Sequence, residues 1–231
     1  MNFRYTATNQ VIESSVNKSI NAMTHRHQDF KNEGMKKTIC FILFTAALLV
    51  ACQPKKTYTN PMVVIHSFYG DIEVELYPEK APKSVAAFLQ YVDSGWYKNS
   101  FFYRVLSIDN QVTGSNPSEL IQGGIYRSMV QPDSVPLIPH ESTQLTGLSH
   151  VNGAVSLARL APGTASTEFF ICIGDQPRFD HGGKASDDGE GYAVFGQVVS
   201  GMENVLRIYA RPEHKQLFIP PVGIINIERR L

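Results

Sequence analysis

From Phe101 to the C-terminus the apolar residues of this chain arrive in short runs separated by clusters of Gly, Pro, Asn and Asp. The runs are Phe101 to Leu106, Leu120 to Gln122, Ala154 to Ala158, Phe169 to Ile173, Ala193 to Val199 and Ile224 to Ile227. Runs of that length between turn residues predict strands, and many short strands with frequent turns close into a sandwich or a barrel. Upstream, Val63 to Phe68 and Asp71 to Leu76 read as a hairpin joined at Tyr69-Gly70. Its second strand alternates apolar and acidic residues, so one face is buried and the other wet. Two helices are expected, Pro82 to Val92 ending near Gly95, and Met202 to Tyr209 after Gly201. Proline in the first turn and apolar residues at helical spacing are the signals. The fold class is mainly β.

The N-terminal region departs from this pattern. Lys36-Lys37 precede an apolar stretch, Thr38 to Ala51, that is too short to span a bilayer and ends in small residues, as an export signal does. Its ending, Leu49-Val50-Ala51-Cys52, resembles the lipobox of bacterial lipoproteins, in which the cysteine is acylated and becomes the first residue after cleavage. The expected organisation is therefore an unpatterned, disordered upstream extension over 1–34, a lipoprotein signal over 35–51, a tether over 52–60 and one domain over 61–231. Met35 is then the expected start of translation, and Cys52 the lipidated residue. Acyl chains contribute about 0.8 kcal/mol per buried methylene, enough in combination to hold the domain on a membrane of the cell envelope.

Of three cysteines, Cys40 and Cys52 fall in the signal, which leaves Cys172 alone in the domain with no intramolecular disulfide. Its apolar surroundings, Phe169 to Ile173, mark it as a packing thiol. Lys plus Arg and Asp plus Glu are equal at 21 each. No whole-chain field exists to gather nucleic acid, which is excluded as a partner.

A string of motifs, in order, resembles the cyclophilin family over nearly all of the domain. They are Gly70-Asp71-Ile72 with Leu76-Tyr77-Pro78 and Ala81-Pro82, Phe88 with Gly95-Trp96-Tyr97, and Phe102-Tyr103-Arg104-Val105. Then come Ile121-Gln122-Gly123-Gly124, Gly153 to Arg159, Thr167-Glu168-Phe169-Phe170-Ile171, and Val194 to Val199 with Gly201-Met202. Gly174 to Asp180 and the loop Asp188 to Tyr192 are similar to the bacterial branch. The resemblance implies a closed eight-stranded antiparallel barrel capped by two helices, and peptidyl-prolyl cis-trans isomerase activity on proline-containing segments of exported proteins. It implies no cofactor and no metal, and a monomer is expected.

Such a reaction breaks no bond. The imide bond before proline rotates through a twisted state about 18–20 kcal/mol up, and catalysis requires a pocket that prefers that state and a donor aimed at the imide nitrogen. By matching motif positions, Arg104 is the expected donor and Gln122 the residue that bonds the substrate's carbonyl side. Phe170, Leu120 and Phe179 are expected to enclose the proline ring, with Ala158, Thr164 and Tyr192 lining the groove. Phe169 and Phe170 are adjacent on a strand, so one of the pair faces the core and the other the groove.

Some positions depart from the family pattern. Glu119 stands where a pocket phenylalanine is usual, and an acid there would weaken an apolar pocket. The segment 107–118 is longer than in compact members, and Ile108 or Val112 could replace the aromatic. Glu168 replaces a frequent glutamine and Tyr192 a frequent histidine, while the pocket tryptophan gives way to Arg178 or Phe179. That last change implies weak binding of cyclosporin-type inhibitors, which a direct titration measures. His140, Glu141 and His150 lack the tight pairing of metal ligands, and Asp187 to Gly191 lacks the ligand spacing of a calcium loop and reads as a solvated turn. Ser156 and Ser166 have no nucleophile-elbow glycines, which argues against a hydrolase.

Overall fold

The computed structural model describes residues 58–111, 117–126, 128 and 134–230. The expected extension, the signal, Cys52, most of the tether and Val112 lie outside the described residues.

The chain enters as the expected hairpin, β1 (Met62–Ser67) and β2 (Gly70–Leu76). The Ser67 hydroxyl donates to the carbonyl of Gly70 and accepts from the N–H of Tyr69, which closes the turn. There follow β3 (Ser100–Leu106), β4 (Leu120–Gly124), β5 (Ala154–Leu157), β6 (Phe169–Cys172), β7 (Ala193–Ser200), β8 (Glu213–His214) and β9 (Leu217–Arg230). Every pairing is antiparallel, in the order β1-β2-β7-β5-β6-β4-β3-β9, and β9 pairs back onto β1. Eight strands thus form a closed barrel with no free edge, and the short β8 rides on β9 as a hairpin arm.

The helices are α1 (Pro82–Asp93), α2 (Thr143–Thr146) and α3 (Met202–Tyr209). α1 follows the C-terminal end of β2 and α3 that of β7; these strands are antiparallel neighbours, so the two helices leave from opposite rims. The single turn α2 has no apolar periodicity and was not legible in the sequence. At the start of α1 the N-cap position is Ala81, which has no side-chain acceptor. Glu141, 57 residues beyond Ser84, supplies one: its carboxylate accepts from the backbone N–H of Lys83 at 3.1 Å and of Ser84 at 2.8 Å, and from the Ser84 hydroxyl at 2.7 Å.

The barrel interior is apolar and aromatic. Ile65, Ile72, Phe102, Ile121, Val155, Phe169, Ile171 and Phe195 fill it, joined by Phe88 from α1 and by Val205 and Ile208 from α3. Phe88 sits 4.9–5.8 Å from the rings of Phe195, Tyr97 and Phe169, an edge-and-tilt cluster that holds α1 on its rim. β9 runs much further than the apolar run Ile224 to Ile227 foretold, through Pro220 and Pro221. Between Phe102↔Val222 and Arg104↔Leu217, β9 advances five residues while β3 advances two. The prolines fall in that excursion, where no N–H is owed to a ladder. Among the described residues no helix is long and apolar enough to cross a membrane.

Candidate active site

Strand alternation gives the barrel a second, outward apolar layer. On β6, Phe169 and Ile171 face the interior while Phe170 and Cys172 join Leu120, Ala154, Phe179 and Val194 in a separate buried cluster outside the barrel. Cys172 is fully buried there and burial pushes its thiol far up, as suits a packing residue. Leu106, Leu148, Ala158, Ala185 and Tyr192 pack against this layer. Over it lies a groove of about 530 Å³.

A bulge in β3 aims the polar side chains at that groove. Phe102 pairs with Gly123 and Arg104 with Gln122, so two residues of β3 oppose one of β4 and Tyr103 is the extra one. Phe102 and Val105, three apart, both face the interior. Tyr103 and Arg104 therefore both point outward, which regular alternation forbids.

Their hydrogen bonds form one chain with a fixed direction. Glu168 accepts from the Tyr103 hydroxyl at 2.6 Å, from the Thr167 hydroxyl at 3.1 Å and from the backbone N–H of Tyr126 at 3.0 Å. A carboxylate only accepts, so Tyr103 must donate to it and accept in turn from the Gln122 amide N–H at 2.8 Å. That orients the Gln122 oxygen toward Arg104, whose Nη1 donates to it at 3.2 Å. Arg104 donates further to the Gln216 oxygen, from Nη2 at 2.9 Å and Nε at 3.3 Å. Burial is the largest influence on Glu168 and raises its carboxyl, with the hydrogen bonds opposing; burial and the neighbouring carboxylate push Tyr103 far up, so it stays a donor. All acceptors of Arg104 among the described residues are amide oxygens, so its charge stands uncompensated by a contacting carboxylate. Among the described residues three of its five N–H groups are spent and two remain.

The groove wall gathers Arg104, Gln122, Leu120, Phe170, Phe179, Ala158, Thr164 and Tyr192, the whole set read from the sequence. Phe170, Phe179 and Tyr192 meet at 5.3–5.5 Å, two of the contacts edge-on. Thr164 lines the groove, yet its hydroxyl is used within its own loop, accepting from the N–H of Ala161 at 2.9 Å and donating to that residue's carbonyl at 2.8 Å. Arg178 stands beside Phe179 on the wall.

Glu119 does not weaken the pocket. Its carboxylate turns away toward α3 and accepts from the Tyr209 hydroxyl at 2.6 Å. Nor does Ile108 replace the missing aromatic: it is 60% exposed and outside the groove wall, and Leu106 supplies the apolar surface instead. The neck of the long segment is closed by Gln111, whose amide bonds the carbonyls of Ser107 and Ser118 and the N–H of Ser118. The loop Asp187 to Gly191 is more than a solvated turn. Asp188 takes a bidentate pair from Arg159 at 2.6 and 2.8 Å, and that guanidinium lies 5.2 Å over the Tyr192 ring, bracing the groove's far wall. Sequence reasoning missed Arg159, Leu106 and Gln216, for which no periodicity or spacing gave a signal.

The three metal candidates have separate partners. Glu141 caps α1, and the His140 ring contacts the Glu190 carbonyl at 3.2 Å. His150 is buried against Phe170, the rings stacked at 5.8 Å. Its Nδ1–H donates to Asp180 at 2.7 Å, which leaves Nε2 to accept from the Ser156 hydroxyl at 3.0 Å. Burial lowers its pKa below 6.5, with Asp180 opposing. The unfolded chain then binds the proton more readily, so this contribution to stability is present above about pH 6.5 and is lost as pH falls below it. Glu168, raised by burial, has the opposite slope. The comparison that isolates His150 is wild type against His150→Gln in denaturant titrations at pH 7.5 and 5.5. Wild type should lose more stability than the variant over that interval, and equal losses would remove the assignment.

Comparisons with known proteins agree with this geometry. Residues 62–229 match the family described as cyclophilin type peptidyl-prolyl cis-trans isomerase/CLD. Peptidyl-prolyl cis-trans isomerase A of Dickeya dadantii is 36% identical over 172 residues, 73% of this chain and 82% of that protein. Peptidyl-prolyl cis-trans isomerase B of Escherichia coli is 35% identical over 149 residues, 64% of this chain and 83% of that protein. A crystal structure of a Cryptosporidium parvum cyclophilin type isomerase, in the presence of the dipeptide Ala-Pro, shares the fold with a TM-score of 0.57 at 24% identity. It covers 74% of this chain and 99% of its own. With a closed barrel, an outward groove and a family match over residues 62–229, this chain belongs to the cyclophilin-type peptidyl-prolyl cis-trans isomerase family.

Proposed function

We propose that the chain catalyses rotation about Xaa-Pro bonds in exported proteins, that Arg104 is its catalytic donor, and that Cys52 anchors it by acyl chains to a membrane of the cell envelope. The observation that carries the reading is an arginine that, among the described residues, has two free N–H groups and no contacting acid, beside an enclosed apolar wall.

As the imide bond twists, resonance is lost and the lone pair localises on nitrogen, whose neighbourhood becomes a hydrogen-bond acceptor. A donor fixed beforehand in a water-poor site stabilises that state more than the planar one, which is the difference that accelerates a reaction. Leu106, Leu120, Phe170 and Phe179 hold the ring by burial, and the remaining polar atoms of the peptide are left to turn. Gln122, locked by Tyr103, presents its second N–H to a substrate carbonyl. The alternative is a groove that binds proline-containing segments with little turnover, which an acid at Glu119 and the long segment 107–118 would favour; the Glu119 carboxylate is engaged with Tyr209 instead.

The test is the cis-to-trans rate of a short Xaa-Pro peptide with the purified domain that begins after Cys52. Acceleration over the peptide alone supports the reading; binding to the peptide without acceleration removes it. For the anchor, labelled palmitate should enter the full chain and not Cys52→Ala, and equal labelling would locate the lipid elsewhere.

A further inference from the structure

The Arg104 guanidinium is gripped from behind by a residue that takes no part in lining the groove. The side-chain oxygen of Gln216 accepts from two of its nitrogens, Nη2 at 2.9 Å and Nε at 3.3 Å. Two bonds onto one oxygen fix both the direction and the plane of the guanidinium. Because that oxygen belongs to an amide, the charge of Arg104 is left intact; a carboxylate at this place would hold the same plane and cancel the charge.

Gln216 sits in the two-residue turn between β8 and β9. Lys215 and Gln216 have φ of +51° and +68°, a left-handed turn better suited to Asn or Gly than to glutamine. The turn therefore gives no reason for a glutamine, and a residue kept in a disfavoured conformation points to a task for its side chain. Its backbone is held from both sides: the Gln216 N–H donates to Glu213 at 2.6 Å, and its carbonyl accepts from the N–H of Val105 at 2.9 Å. Val105 directly follows Arg104, so the turn is tied to the bulge that turns Arg104 outward.

We propose that Gln216 is a positioning residue that fixes the plane of Arg104, so that its two unspent N–H groups face the imide nitrogen. This rests on the reading of Arg104 as the catalytic donor. Asparagine at 216 separates the side chain's task from that of the backbone, since it tolerates the left-handed turn and keeps the amide but withdraws the oxygen by one methylene.

The experiment is peptide isomerisation by wild type, Gln216→Asn, Arg104→Ala and the double variant, with kcat and KM resolved and melting temperatures recorded. Gln216→Asn should lower kcat about tenfold, change KM less than about twofold as ground-state binding is untouched, and melt no earlier than wild type. The double variant should be no slower than Arg104→Ala alone, because the second residue acts only through the first. Full activity of Gln216→Asn beside a slow Arg104→Ala overturns this inference and leaves the catalytic reading standing. Losses that multiply in the double variant also overturn it. Full activity of Arg104→Ala removes both.

Discussion

Replacing Arg104 by alanine is expected to lower kcat/KM for an Xaa-Pro peptide by roughly hundredfold to thousandfold, the loss of one preorganised donor at a site where charge localises, or about 3–4 kcal/mol of transition-state stabilisation. The loss should fall in kcat, with peptide affinity nearly kept, because the apolar wall binds the ring in the planar and twisted states alike. Arg104→Lys should recover little: an ammonium keeps the charge but cannot meet Gln122 and the two-pronged contact with Gln216 together. Steady-state rates or exchange spectroscopy on the peptide measure this. An alanine variant within threefold of wild type, correctly folded, would defeat the assignment.

What the sequence disclosed and what it withheld divide along physical lines. Elements whose signal is local were legible almost to the residue. α3 occupies Met202–Tyr209 as read, and α1 extends one residue beyond the reading. The strands from β1 to β7 shift by two residues at most, as hydrophobic period and turn residues foretell. Features that depend on a partner far away in sequence were not. β9 continues through two prolines because β3 demands no ladder bond there. Glu141 looks like a loop acid until the Ala81 end of α1 is found to lack a cap. Glu119 looks like a pocket defect until Tyr209 is placed beside it.

The candidate site divides in the same way. Its apolar wall follows from alternation along β4 and β6, and motif order brought its residues to notice. Its polar chain does not follow from alternation: strict period two over Ser100–Leu106 puts Arg104 on the same face as Phe102, inside the barrel. Only the bulge at Tyr103 reverses that, and a bulge is a relation between two strands with no signature on one. Gln216, 112 residues from Arg104, is the extreme case.

The neighbours Phe169 and Phe170 turn this geometry into a stability contrast between the two layers. Phe169 has no exposed surface and meets the rings of Phe88, Tyr97 and Phe102 at 5.8–5.9 Å inside the barrel. Phe169→Ala leaves a sealed cavity and should cost about 3–5 kcal/mol, lowering the melting temperature by about 10 °C. Phe170 is nearly as buried, at 2% exposure, but forms the groove wall against Phe179 and Tyr192. The space left by Phe170→Ala opens to the groove, so about 2 kcal/mol is expected, together with a peptide KM raised roughly tenfold or more as the ring loses its wall. Thermal melting and peptide kinetics on the two variants separate the roles. If Phe170→Ala melts as early as Phe169→Ala while its KM stays at the wild-type value, the outer layer is a second core and the proline ring is held elsewhere.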